Sequence, residues 1–173
     1  MATWKLRFPA RQIPKLAYRY GYDGDVPIIE IGRRARAAGE YTFEEFLTVC
    51  DWKSKRTRSR CRKNTPTDVA AVTRIALSTP SEMLRIGVLR CLHGVDWPTA
   101  SVLLHMAHRD PYPILDVRAL WSLGVEKPGA YSFELWRKYV EVCRRLAKQH
   151  GIDMRTLDRA LWQFSKDHQG KLR

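Results

Sequence analysis

The sequence predicts an all-α protein, a bundle of about eight to nine helices. Three observations carry that expectation. Apolar residues recur at helical spacing along most of the chain, cap-forming residues bound those runs, and neither an alternating strand pattern nor an internal repeat interrupts them. The 173 residues suit one compact domain, 1–173, large enough to bury a core without staples. A subdivision is open as well: a lobe 41–112 holding a helical hairpin at 80–108, and a lobe of 1–40 with 113–173.

Residues 11–20 form a short amphipathic helix with Ile13, Leu16 and Ala17 on one face. A second helix runs over 26–38 and closes at Gly39. Thr42 and Glu45 have capping-box spacing and open a third, through Val49. Asp68–Leu77 is a fourth, introduced by Thr65-Pro66-Thr67. Pro80-Ser81-Glu82 opens a fifth, with Met83, Ile86, Leu89 and Leu92 as its apolar stripe. A sixth carries Ala100, Leu103, Leu104 and Ala107 inward. The next starts at Asp116 and ends at Gly124. Residues 132–150 give a long helix bearing Phe133, Trp136, Val140, Cys143 and Leu146, stopped by Gly151. The last, 153–166, turns Leu157, Ala160, Leu161 and Phe164 inward. Trp121, Trp136 and Trp162 fall on apolar helical faces and read as core. Residues 170–173 are expected to fray.

Charge narrows the partner. The 31 Lys and Arg against 18 Asp and Glu give a net +13, which fits a polyanion better than a neutral metabolite. Residues 53–63 concentrate it: Lys53, Lys55, Arg56, Arg58, Arg60, Arg62 and Lys63, with no acid among the eleven positions. So dense a cluster repels itself, and a phosphate backbone would relieve that repulsion. The plainer reading is a solvated, partly disordered loop. Trp52 precedes the run. It either packs at a helix end or stacks on a base or in the gap left by one; Trp97, further on, poses the same choice.

Other classes are disfavoured. No apolar run approaches the roughly 20 residues that span a bilayer, and no helix sets its basic residues opposite a broad apolar face. The first residues lack a signal-peptide core, so a cytoplasmic protein (nucleoid-associated in a bacterium) is expected. Cys50, Cys61, Cys91 and Cys143 are scattered, without a C-x-x-C pair, which argues against zinc and iron–sulfur sites and for free thiols. No metal and no cofactor is expected. His105 and His108 are expected at an exposed helix edge.

Residues 92–118 hold the most chemistry. The turn Leu92-His93-Gly94-Val95-Asp96 joins two helices. Gly94 falls where a positive φ is wanted, Asp96 where a side chain can cap the next helix, and Pro98 in that helix's first turn. A helix start of this kind offers free backbone amides as a seat for phosphate. By itself the pattern is also that of a plain αα-hairpin. After a short apolar run, Asp116 stands at the start of another helix.

These residues resemble the signature of the helix-hairpin-helix DNA glycosylase superfamily, which includes the endonuclease III-like and alkyladenine glycosylase-like enzymes. The resemblance covers roughly residues 80–124. Family hairpins usually read Leu-Pro-Gly-Val-Gly, two further residues, then Thr-Ala. This chain keeps Leu92, Gly94, Val95, Thr99 and Ala100, with His93 at the usual Pro and Asp96 at the usual second Gly. The segment between the Phe43 helix and the hairpin is shorter than in those enzymes. The family places its catalytic Asp at the next helix start, often with a basic residue two positions on, as Asp116 and Arg118 stand here. The resemblance therefore implies Asp116 as the catalytic group, and Gly94, Val95, Asp96, Thr99 and Arg118 as contacts to DNA. Bifunctional members carry a Schiff-base Lys where this chain has Pro98. A monofunctional hydrolase acting on duplex DNA as a monomer is implied. Two alternatives stay open: a non-catalytic hairpin module that grips DNA backbone, and a lyase using another amine such as Lys53. Asp116 itself is also explained as a simple helix N-cap.

Overall fold

The computed structural model describes residues 3–21, 24–126 and 128–169. The tail expected to fray lies outside them. The described residues are helical and contain no strand. In chain order the helices are α1 Ile13–Arg19, α2 Asp25–Ala38, α3 Phe43–Lys53, α4 Arg58–Cys61, α5 Pro66–Ser78, α6 Glu82–Leu89, α7 Trp97–Ala107, α8 Val117–Ser122, α9 Phe133–His150 and α10 Met154–His168. Short 3-10 turns at Ala10–Gln12 and Lys55–Thr57 lead into α1 and α4.

The helix ends follow local chemistry. Thr42 and Glu45 form the complete capping box of α3. Thr65, Ser81, Ser132 and Asp153 accept main-chain N–H bonds at the starts of α5, α6, α9 and α10. Gly39 and Gly151 close α2 and α9 in the left-handed conformation.

The chain divides into two compact units, Asp23–Tyr112 and Met1–Tyr22 with Pro113–Arg173. The first holds α2 to α7. Helix α2, which the sequence reading grouped with the N-terminal residues, packs here against α7. Gly32 permits the crossing, because a Cβ there would lie 2.4 Å from the Met106 carbonyl oxygen. Tyr41 ties three elements: its amide donates to Thr73 Oγ1 (3.0 Å) and its buried hydroxyl to the Leu103 carbonyl (2.9 Å). Helix α7 forms the centre, with Trp97, Thr99–Leu104, Met106 and Ala107 buried.

The α6 stripe differs from the sequence expectation. Ile86, Leu89 and Leu92 are buried, but Met83 is 63% exposed and Arg85 is buried in its stead. Arg85 is accommodated because its nitrogens are satisfied. It donates to Tyr112 Oη (2.7 Å) and to the Ala76 and Thr79 carbonyls, and it pairs with Glu82. The two histidines also depart from an exposed edge. His105 is half-buried, its Nδ1 2.5 Å from the Tyr112 carbonyl oxygen, and His108 is buried edge-on to the Tyr112 ring.

In the other unit α10 is the hub, packed by α1, α8 and α9. Ile13, Leu16, Leu120, Leu157, Ala160 and Leu161 fill its core. Trp136 is core as expected, whereas Trp121 and Trp162 are half-buried. The amides of Thr3, Lys5 and Arg7 donate to the carbonyls of Gly124, Leu123 and Ser122, lashing the N-terminal stretch to the end of α8. No described helix is long and apolar enough to cross a membrane.

Candidate nucleic-acid interface and carboxylate site

The basic run is not a loop. Its residues wind through the Lys55–Thr57 turn and α4, and the segment folds against the hairpin turn. Asn64 makes that joint: its Nδ2 donates to the carbonyls of Cys61 (2.7 Å) and His93 (3.0 Å), and its Oδ1 accepts from the His93 amide (2.8 Å). Gly94, at φ 80°, completes it, since a Cβ there would lie 2.7 Å from Cys61 Sγ and 2.8 Å from the Cys61 nitrogen. Beneath the joint the Cys50 and Cys61 thiols share a hydrogen bond. It lowers Cys61 to about 7 and, together with burial, holds Cys50 well above its ordinary range. All described cysteines are free thiols, and no cluster of three or more ligands for a metal occurs among the described residues.

Lys55, Arg56, Arg58, Arg60, Arg62 and Lys63 are exposed along this segment, and Lys53 is half-buried at the end of α3. Arg58 is engaged already: its Nε donates to Asp51 (2.6 Å), an interaction that raises its pKa. Sequence reasoning missed Asn64, although an Asn just before the Thr65 cap was the available signal.

The hairpin residues fare less evenly. Val95 and Thr99 are buried, so their side chains pack inward. The Asp96 carboxylate, 71% exposed, accepts from the Trp97 amide (2.8 Å) and from Arg90 Nε (3.1 Å). Pro98 has no N–H. Two of the first three α7 amides are therefore closed to a phosphate. Trp97 is buried with the Arg90 guanidinium 4.2 Å from its ring centroid, which makes it a core residue and not an intercalating one. Trp52 stays half-buried at the end of α3. A cavity of about 340 Å³ in this unit lies at the opposite end of α7, bordered by Arg36, Leu77, Ser78, Ala107, His108 and Arg109. None of its residues belongs to the sequence-derived set.

Asp116 belongs to the other unit. The extended backbone at Asp116 (φ −147°, ψ 142°) aims its side chain back over the first turn of α8, where Oδ1 accepts from the Arg118 amide at 2.9 Å. The residue is half-buried. Its surroundings were not legible in the motif. Burial, then Cys143, then the Asp158 and Asp116 carboxylates push the buried Tyr139 phenol well above its ordinary value. Tyr139 Oη donates to the Ile114 carbonyl (2.9 Å), two residues before Asp116. Asp158, buried on α10, takes a hydrogen bond from Arg155. A buried acid at a position facing inward with Met154, Leu157 and Leu161 is the signal that helical periodicity offered.

No protein family, curated protein or solved structure matches the chain.

Proposed function

We propose that the protein is a monofunctional DNA N-glycosylase: it hydrolyses the bond between deoxyribose and a damaged or modified base extruded from duplex DNA. The observation that carries this reading is Asp116, a carboxylate fixed by the first turn of α8 and yet half-exposed. Extrusion of the base costs a few kcal/mol. As the base departs the sugar gains oxocarbenium character, which a rigidly held carboxylate stabilises. The same group orients a water for attack on the sugar carbon and accepts its proton. Water is the nucleophile in this scheme, because Pro98 supplies no amine where bifunctional enzymes carry one. The exposed basic residues of 55–63, seated on the hairpin turn through Asn64, supply the phosphate contacts.

A non-catalytic DNA-binding module is the second reading. It is favoured by the fact that the Asp116 carboxylate already has a structural task as a cap. A panel of duplexes with oxidised, alkylated, deaminated, mismatched or hypermodified bases separates the two. The glycosylase leaves intact strands that break only after hot alkali, and borohydride present during turnover traps no protein–DNA adduct. Tight binding to the panel without alkali-labile sites establishes the module. A trapped adduct mapping to Lys53 or another Lys overturns both readings in favour of a lyase.

A further inference from the structure

The cavity of about 340 Å³ at the C-terminal end of α7 has no part in the scheme above. It lies wholly within the unit Asp23–Tyr112. Small-molecule pockets begin at about 300 Å³, so it has room for a compact ligand. Leu77 and Ala107 give it an apolar side, and Arg36, Arg109 and His108 a polar one. No acidic residue borders it among the described residues.

Each polar group keeps a donor that the fold does not use. Arg36 commits one edge of its guanidinium to the end of α7: Nε donates to the Ala107 carbonyl (3.1 Å) and Nη2 to that of Met106 (3.4 Å). Those bonds fix the plane of the group and satisfy two carbonyls at the negative pole of the helix. The Nη1–Nη2 edge is left for another acceptor. Arg109 has no hydrogen bond or ion pair to any described residue. Both arginines are exposed, so a ligand from solvent reaches them. In His108 the Nδ1 atom accepts from the Asp110 amide (2.9 Å), which leaves the proton of the neutral ring on Nε2. That N–H has no acceptor among the described residues. Burial, then Arg85, favours the neutral ring. Ser78, also at the cavity, adds no donor, because its hydroxyl already donates to the Arg74 carbonyl (2.7 Å).

We propose that this cavity binds a small phosphate monoester, its phosphate gripped by Arg36 and Arg109 and its organic body laid against Leu77 and Ala107. The free edge of Arg36 is a fork that matches two phosphate oxygens. Arg109 supplies the second positive charge, and the His108 Nε2–H meets a third oxygen. A monoester carries close to two negative charges and three terminal oxygens near neutral pH. A carboxylate, with one charge and two oxygens, would leave one of the guanidiniums unmatched. The site uses neither Asp116, nor the hairpin, nor the basic run 53–63, so it stands or falls apart from the DNA-binding reading.

The test is isothermal titration calorimetry of the full chain with phenyl phosphate, at about pH 7.5, where the ester is mostly a dianion. Inorganic phosphate is the comparator. Wild type is expected to bind phenyl phosphate at one saturable site, about tenfold more tightly than inorganic phosphate. Arg109→Gln removes no contact of the fold and is expected to weaken the ester about tenfold. Ser78→Phe leaves every charge in place, puts a ring where the ester would lie, and is expected to abolish binding. Arg56→Gln/Arg60→Gln is expected to bind as wild type does. A wild type without a saturable site overturns the proposal, and so does equal affinity for the ester and inorganic phosphate. Loss in the Arg56/Arg60 pair with full affinity in the other two variants puts the phosphate on the basic run and overturns it as well. Wild-type protein gives a readout independent of how the variants fold. Phenyl phosphate is expected to shift the ring nitrogen signals of His108, assigned by their absence in His108→Asn, more than those of the other histidines. Signals of His108 that stay in place under saturating ester overturn the proposal.

Discussion

Three described helices are capped by an aspartate, and two of those starts, at α7 and α8, are built differently. At α7, Asp96 points its carboxylate into solvent, bonds the amide of the very next residue and is held by Arg90. At α8, half-buried Asp116 reaches one residue further, to the Arg118 amide, and contributes to the field on a buried phenol. The residue type and the cap are the same. The first charge closes the helix start that a hairpin would offer to a phosphate; the second is retained at an intermediate depth, where a fixed charge acts more strongly on a nearby cation than it would in open water. The same kind of cap therefore leaves its carboxylate in different settings, one in solvent beside Arg90 and one half-buried near Tyr139.

The largest effect that can break this contrast is on turnover. Asp116→Asn keeps the shape of the side chain and removes the charge, and base release is expected to fall by about two to three orders of magnitude with DNA affinity unchanged or slightly improved. Asp96→Asn is expected to leave base release alone and to tighten duplex binding about two- to fivefold at low salt, as an anionic charge leaves the face proposed to meet DNA. Near-normal turnover by the Asp116 variant, in single-turnover assays on any duplex found to be a substrate, would sink the assignment.

A smaller effect distinguishes the turns beside these helices. Gly94 and Gly124 both have φ near 80°. A Cβ on Gly94 meets the backbone and sulfur of Cys61, whereas one on Gly124 meets the movable hydroxyl of Thr3. Gly94→Ala is expected to cost about 2–4 kcal/mol and Gly124→Ala about 1–2 kcal/mol. Urea denaturation measures both, and equal losses would mean that the hairpin turn is no more tightly seated than its counterpart.

The smallest effect lies at the far end of α7. Burial, then Arg85, lowers the pKa of His108 below 6.5, against the opposing pull of Asp110 and Glu82. The fold thus favours the neutral ring, while the unfolded chain takes up a proton near 6.5. That contribution is fully present above pH 6.5 and is lost as the pH falls through the lowered value. Wild type is expected to lose thermal stability relative to His108→Asn between pH 7 and pH 5. Parallel melting curves across that range would remove His108 as the cause.

The local features were legible in the sequence because each is settled within one turn of chain. The Thr42–Glu45 capping box, the Gly39 and Gly151 stops, the Asp116 cap and the positive φ of Gly94 depend on backbone amides a few residues away. What the sequence could not decide was depth. Met83 and Arg85 exchange places on α6 because Tyr112, Glu82 and the Ala76 and Thr79 carbonyls happen to meet the guanidinium. Trp97 turns inward under Arg90, and the run 53–63 winds into short helical turns because Asn64 and Cys61 bind it to the hairpin. The neighbourhood of Asp116 likewise joins residues of α8, α9 and α10. By itself the sequence determined an all-helical chain, its helix ends and its positive charge, since periodicity, caps and composition are properties of neighbouring residues. Only the tertiary structure decided which caps face water, which cations are already engaged and which acids meet a buried phenol, because burial and pairing depend on residues far apart in the chain that packing alone brings together.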